Sequence, residues 1–367
     1  MIPLFSPYIP PEAGEAVKQV IDSGWINTGP KEQLFRERLQ TKFGFPHCVA
    51  TNNCTASLRA SLAALGVTRG DEVITTPWTM IATNTVILEQ GATPIFADIE
   101  YNTLNIDPDS VAQKITDKTK AIMCVHYAGA PCKLDQLRRI AKTHGLVVVE
   151  DAAQALGAKH RGKYIGASGK LVNFSFQAIK TITSGDGGAI ATDNEDLYEA
   201  LQTRVWFGID KKKRNKTPLG PLPHDVEVLG FKYNMNDITA ALGLVGLAHF
   251  DEALAKRKNV AQHYRDELQN LNDVTLLNYP TNIDPVYWMF PIHVKRRLQF
   301  AEYMRHNGVE VSVHYPRNDK YTIFGGKQNL PITEKVDSDI IHIPIHSNLS
   351  EHQVAQVIDT VRRWHGY

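Results

Sequence analysis

The sequence predicts an α/β fold. A large domain over residues 1–250 is built on a mostly parallel sheet flanked by helices, and a smaller C-terminal α+β domain covers 251–367. Two observations predict this. Short apolar runs without alternation recur between helical segments, as expected of strands whose two faces are both covered by helices. Beyond residue 235 that rhythm gives way to long helical sequence and a few separated strands.

In chain order, a helix begins near Pro11 and stops at Gly24, and "KEQLFRERLQTKFG" (31–44) is a second amphipathic helix ended by glycine. "CVAT" (48–51) leads into helical "ASLRASLAALG", and "EVITT" (72–76) into helical "IATNTVILEQG". "PIFADI" (94–99) precedes a helix near 107–115, and "KAIMCVH" (120–126) precedes "LDQLRRIAKTHG". "LVVVED" (146–151) is the next strand. Ligands of such open sheets gather at the carboxyl ends of the strands. The stretch 235–271 reads as one long helix or two abutting ones. Strands "WMFPIHV" (288–294) and "VEVSVHY" (309–315) flank helical "LQFAEYMRHNG", and a last helix follows Ser350. The charge run "DKKKRNK" (210–216) reads as a mobile surface loop.

Composition narrows the function. Hydrophobic content of 43% and charged content of 22% are those of a soluble globular protein. Forty basic residues face 39 acidic ones, so no global field recruits nucleic acid or an anionic membrane. The N-terminus lacks a signal peptide's pattern, and no apolar run is long enough to span a bilayer. Cys48, Cys54, Cys124 and Cys132 have neither metal spacing nor a disulfide framework. They read as reduced thiols of a cytoplasmic protein that uses no metal.

Three features could carry chemistry. Lys180, in "NFSFQAIKTITSGDGGAI" (173–190), stands among apolar residues and either snorkels to the surface or is kept dry. Asp151, at the end of a strand, is either a helix cap or the partner of a buried cation, and Gln154 shares that ambiguity. Thr55, in "NNCTAS" (52–57), caps a helix or helps to hold an anion at its start. The glycines of "SGDGG" (184–188) permit tight turns and close backbone approach. Together these features suit pyridoxal 5'-phosphate. Its phosphate would sit at a helix N-terminus, its aldehyde at the lysine and its pyridine nitrogen at the acid.

The segments "NNCTASLRASLAALGVTRGDEVI", "VEDAAQALGAKHRGKYIG", "FSFQAIKTITSGDGGAI" and "LGFKYNMNDITAALGL" resemble the DegT/StrS-type nucleotide-sugar aminotransferases. These are fold-type I pyridoxal-phosphate enzymes of the aspartate aminotransferase superfamily. The resemblance implies Lys180 as the Schiff-base lysine and proton shuttle, and Asp151 as the partner of the pyridinium nitrogen. It implies that Gln154 bonds the ring hydroxyl, and that Thr55, the amide of Ala56 and Ser175 hold the phosphate. Met80 stands where relatives stack an aromatic residue on the ring. Either Met80 or Trp78 covers the cofactor, and strand alternation would put both on the same side. Lys232 stands where relatives carry an asparagine that reaches the phosphate from the other subunit, which implies a homodimer with active sites at its interface. His314 and Tyr315 match a stretch near the substrate in relatives, although His314 reads equally as a half-buried strand histidine. Asn27, Arg204 and the 211–214 cluster are candidate substrate contacts, the cluster reading equally as a solvated loop. His126 fits the family pattern without an assigned role. The implied reaction moves an amino group from glutamate to a nucleotide-linked keto-sugar, by default a 4-keto-6-deoxyhexose. A keto-cyclitol or non-nucleotide keto-sugar, or a non-catalytic regulator with this fold, are the alternatives.

Overall fold

The computed structural model describes residues 1–213, 215–222 and 225–364. Five strands enter in turn: β1 (His47–Thr51), β2 (Glu72–Thr75), β3 (Thr93–Phe96), β4 (Thr119–Val125) and β5 (Val147–Asp151). The short β6 (Lys159–His160) and β7 (Lys163–Tyr164) branch aside, and β8 (Leu171–Ser175) and β9 (Gly188–Thr192) complete a seven-stranded sheet. Its order is β1-β9-β8-β5-β4-β2-β3, parallel throughout except where β9 pairs antiparallel with β1 and β8. Thr51, Thr75, Asp151 and Ser175 therefore end their strands along one edge of the sheet.

The antiparallel β9 is hidden in what reads as a glycine-rich tail. All five of its residues are buried. Gly188 is forced by close approach, because a Cβ there would lie 2.6 Å from the Asn53 carbonyl. That contact seats the start of the helix following β1.

Helices cover the sheet where the periodicity predicts them, as α1 (Ala13–Ser23), α2 (Pro30–Phe43), α3 (Cys54–Ala64), α4 (Ile81–Glu89), α5 (Pro108–Gln113) and α6 (Leu134–Thr143), and α7 (Glu195–Arg204) adds one that the sequence reading did not single out. In α2 the core side is Phe35, Leu39 and Phe43, spaced four apart and at most 1% exposed. Each such burial contributes about 1.5–3 kcal/mol. Gly29 precedes α2 so closely packed that a Cβ would strike the Trp25 indole at 2.0 Å. The Asp237 carboxylate accepts the amides of Gly29, Lys31 and Glu32 at 2.8–3.0 Å. It caps the positive end of that helix from a distant part of the chain.

The long helical stretch is two helices, α8 (Asp237–Ala248) and α9 (Phe250–Leu268), meeting at 58°. Phe250 packs into the core of the large sheet, whereas Val260, Tyr264 and Leu268 pack into a second core. Ile2 joins that second core through a parallel bridge to Val309, so the first residues pack with the C-terminal part of the chain. No single described helix is long and apolar enough to cross a membrane.

Two expectations need correction. The charge run is no simple loop. A short turn at Lys211–Lys213 leads into a hairpin of β10 (Asn215–Thr217) and β11 (Gly220–Leu222), and Arg214 lies outside the described residues. The C-terminal sheet consists of β12 (Val274–Leu276), β14 (Phe290–Val294) and β15 (Ile340–Ile343), while β13 (Ile283–Asp284) joins β6. Residues 309–315 are not among its strands. They make only single bridges, Val309 to Ile2 and Ser312 to His342. The chain there turns away from the sheet and carries His314 and Tyr315 to a cavity. Two further helices, α10 (Arg297–His306) and α11 (Pro331–Asp339), precede α12 (Glu351–Arg362). Ser350 and Gln353 form a capping box at the start of α12.

Candidate active site

A cavity of about 800 Å³ opens at the carboxyl ends of the parallel strands. Among the residues singled out from sequence, Thr55, Ala56, Met80, Asp151, Gln154, Ser175, Lys180, His314 and Tyr315 line it. They come from different loops, and the sheet brings them together. Trp78, Lys232, Asn27 and Arg204 do not line it.

Asp151 ends β5 and is 4% exposed. It is not the cap of a helix, since "AAQAL" forms turns. Its Oδ1 accepts the Ala153 amide at 3.1 Å, and its Oδ2 accepts the Thr83 hydroxyl at 2.7 Å. Burial raises its pKa, opposed by those two bonds and by the nearby positive charge of Lys180. A carboxylate kept dry in this way favours a cationic N–H partner. Gln154 is fixed by its Oε1, which accepts the Ala128 amide at 2.7 Å and leaves the Nε2 donors for the cavity.

Lys180 follows β8 in the loop that "SGDGG" closes. Its pKa falls to about 8, chiefly through burial and also through Arg257, against Cys54 and Asp151. An appreciable share of the amine is therefore neutral near neutral pH, as a nucleophile must be. Nζ lies 3.7 Å from the centroid of the Trp288 ring. His314 is held down to about 4 by burial and then by Lys180, so it is neutral.

The start of α3 departs from expectation in detail. Its cap is Asn53, whose side chain accepts the Ala56 amide at 2.8 Å. The amides of Cys54 and Thr55 have no protein acceptor among the described residues, and they are the donors left for an anion. Met80 is 47% exposed at the cavity, whereas Trp78 is fully buried behind it with Tyr127 and Trp288. The two do not share a side because β2 ends at Thr75, so strand alternation does not reach them.

Lys232 and Asn27 meet elsewhere on the surface. Lys232 Nζ donates to Asn234 Oδ1 at 2.7 Å and lies over the Trp206 ring at 4.2 Å, while the Asn234 amide faces Asn27 Oδ1 at 3.4 Å. Arg204 donates to the Leu229 carbonyl at 3.1 Å beside a separate cleft of about 210 Å³. Lys212 is paired with Glu199 at 2.8 Å.

Sequence reading missed several residues of this site. Thr83 lies one helical turn into a segment read only for its periodicity. Asn84 Nδ2 donates a hydrogen bond to Asn318 Oδ1 at 2.9 Å, and Asn318 Nδ2 donates to the Thr79 carbonyl at 2.8 Å. They tie the segment bearing His314 and Tyr315 to the one bearing Met80. Nothing in local sequence signals that pairing. Cys124, His126 and Cys132 gather within 4.8 Å although their spacing carries no metal signature. The His126 Nδ1 accepts the Cys132 amide at 3.1 Å, and its Nε2 bonds Glu150 at 3.1 Å. Neither ring nitrogen has a lone pair free for an ion.

The DegT/DnrJ/EryC1/StrS aminotransferase family matches residues 7–362. The uncharacterized protein MJ1066 of Methanocaldococcus jannaschii is 35% identical, over 99% of this chain and 97% of that protein. The sugar aminotransferase CalS13 from Micromonospora echinospora superposes with a TM-score of 0.93 at 32% identity, over 99% of both chains. Spr1654 from Streptococcus pneumoniae, a putative sugar aminotransferase, superposes at a TM-score of 0.91 in both its PLP and PMP forms. The identities are 28% and 29%, over 98–99% of this chain and 97–98% of the other.

Proposed function

This chain belongs to the DegT/DnrJ/EryC1/StrS aminotransferase family as a pyridoxal-phosphate-dependent sugar aminotransferase, and we propose that it transfers the amino group of glutamate to a keto-sugar carried on a nucleoside diphosphate. The observation that carries this reading is the joint presence of Lys180, Asp151 and Gln154 on one cavity of about 800 Å³. That volume is near the upper end for small-molecule sites. It leaves room for a sugar beside the cofactor.

The residues present suit the cofactor. Asp151 would hold the pyridinium nitrogen, with Thr83 fixing the carboxylate. Gln154 Nε2 would donate to the ring hydroxyl, and Met80 would cover the ring through its polarizable sulfur. Ser175 and the amides of Cys54 and Thr55 would hold the phosphate. Bound there, pyridoxal phosphate supplies an electron sink and carries the amino group between the two substrates. The proton is the task of Lys180. Nζ, in its neutral form, would take it from the carbon that bears the nitrogen and return it at the cofactor's C4′.

The diphosphate asks for cations, and Lys180 and Arg59 are the only ones that line the cavity among the described residues. Arg59 already faces Glu89 at 3.3 Å. We propose that a second copy of the chain completes the site, with Lys232 reaching the cofactor phosphate of its neighbour and Asn27 near the sugar. A keto-cyclitol without a diphosphate is favoured only if no second copy completes the site. The test is protection. A nucleoside diphosphate alone should slow reduction of the cofactor-bound enzyme by borohydride. Absence of protection at saturating nucleotide would turn the reading toward the cyclitol.

A further inference from the structure

Trp288 sits directly beneath the Lys180 amine, 3.7 Å from Nζ to the ring centroid. Its Nε1 donates to the carbonyl of Ile179, the residue before Lys180, at 3.0 Å. The ring is wholly buried. It stacks on Phe5 at 5.4 Å and Tyr315 at 6.3 Å, and His314 meets its edge at 5.7 Å. The backbone is fixed as well. Trp288 N donates to the Ala128 carbonyl at 2.8 Å, and Arg257 Nη1 donates to the Trp288 carbonyl at 2.9 Å. No carboxylate is hydrogen-bonded to Nζ among the described residues, and the indole face lies against it at 3.7 Å.

Four titratable groups face Lys180 from other elements. Asp151, at the end of β5, favours its cation, and Arg257 of α9 opposes it. Cys54, the first residue of α3, is pushed well above its ordinary pKa by burial and stays a neutral thiol. His314 is neutral at any ordinary working pH. An aromatic face in contact with a desolvated ammonium is attractive through the ring quadrupole, and Trp is the best of the three aromatic side chains for it.

We propose that Trp288 is a positioning residue, the face on which the Lys180 amine rests whenever Nζ is not covalently engaged, and that it favours the protonated amine against burial. The proton collected from the substrate carbon is then retained on Nζ until it is returned. This last part rests on the amino-transfer reading above.

The experiment titrates Lys180 in the full chain freed of cofactor. Cyanate labels neutral amines, and mass spectrometry of the Lys180 peptide across a pH series gives an apparent pKa. In Trp288→Leu that pKa should fall by about one unit. Trp288→Tyr and Trp288→Phe keep a face but lose the bond to Ile179, and should fall less. In steady state the acidic limb of the kcat–pH profile should move in the same direction. An unshifted pKa in a folded Trp288→Leu overturns the proposal. Where the leucine variant does not fold, equal values in Trp288→Phe and the parent overturn it. The labelling uses neither cofactor nor sugar. It can therefore fail while amino transfer is observed, and succeed while no sugar nucleotide is accepted.

Discussion

Lys180 and Asp151 have opposite problems at the same place. Burial lowers the pKa of one and raises that of the other, so each is pushed toward its neutral form. An amine at about 8 can attack an aldehyde near neutral pH. The rate of pyridoxal phosphate capture should therefore rise with pH and level off above about 8, as the folded-state pKa is passed from below. Stopped-flow absorbance checks this, and a capture rate still rising steeply near pH 10.5, the ordinary lysine value, would contradict the lowered pKa. Lys180→Ala should abolish turnover and the imine absorption while leaving the far-UV spectrum unchanged. Asp151→Asn keeps the shape and removes the charge. It should lower kcat far more than cofactor affinity, whereas a residue that served only as a cap would tolerate asparagine with activity near normal. These two residues were legible because each is chemically out of place in its stretch, a lysine among Phe174, Phe176 and Ile179 and an acid ending an apolar strand. Thr83 and Trp288 were not. A threonine in a helix and a tryptophan at the start of a predicted strand are ordinary, and only the fold reveals what they touch.

Elements were legible where a single period governs them and illegible where distant partners decide. The phenylalanines and leucine of α2 announce its core face, and the parallel strands announce themselves by apolar runs. The stretch at 309–315 alternates like a strand, yet its backbone finds only Ile2 and His342 as bridge partners because the turn toward the cavity takes precedence. β9 is the opposite case, a strand of small residues that must fit against Asn53. The cap of α2 belongs to this scale too. Asp237 holds three of its amides across more than 200 positions of chain. Asp237→Ala should leave those amides without their acceptor and cost about 1–3 kcal/mol of stability, read as a lowered urea midpoint with an unchanged slope. A change within a few tenths of a kcal/mol would show that water replaces the carboxylate without loss.

At the scale of the whole molecule, the cavity holds the chemistry of amino transfer while Lys232 and Asn27 stand apart from it. The proposed site completed by a second copy would reconcile the two. Lys232→Met should weaken cofactor binding by about ten- to a hundredfold, the effect of losing one charge-assisted bond. Chains carrying Lys180→Ala and Lys232→Met, co-expressed and purified as a heterodimer, should regain one intact site. At limiting cofactor that heterodimer should be more active than either mutant homodimer. No regain in a verified heterodimer would end the shared-site proposal. The substrate itself is the central claim, and it is tested most directly with the pyridoxamine form of the enzyme, generated with glutamate and freed of excess donor. Mixed with a panel of nucleotide-linked keto-sugars, keto-cyclitols and free keto-sugars, it should revert to the pyridoxal absorbance stoichiometrically with a nucleoside-diphospho-4-keto-6-deoxyhexose. Reversion with a free keto-sugar or cyclitol, and with no sugar nucleotide in the panel, would contradict the account.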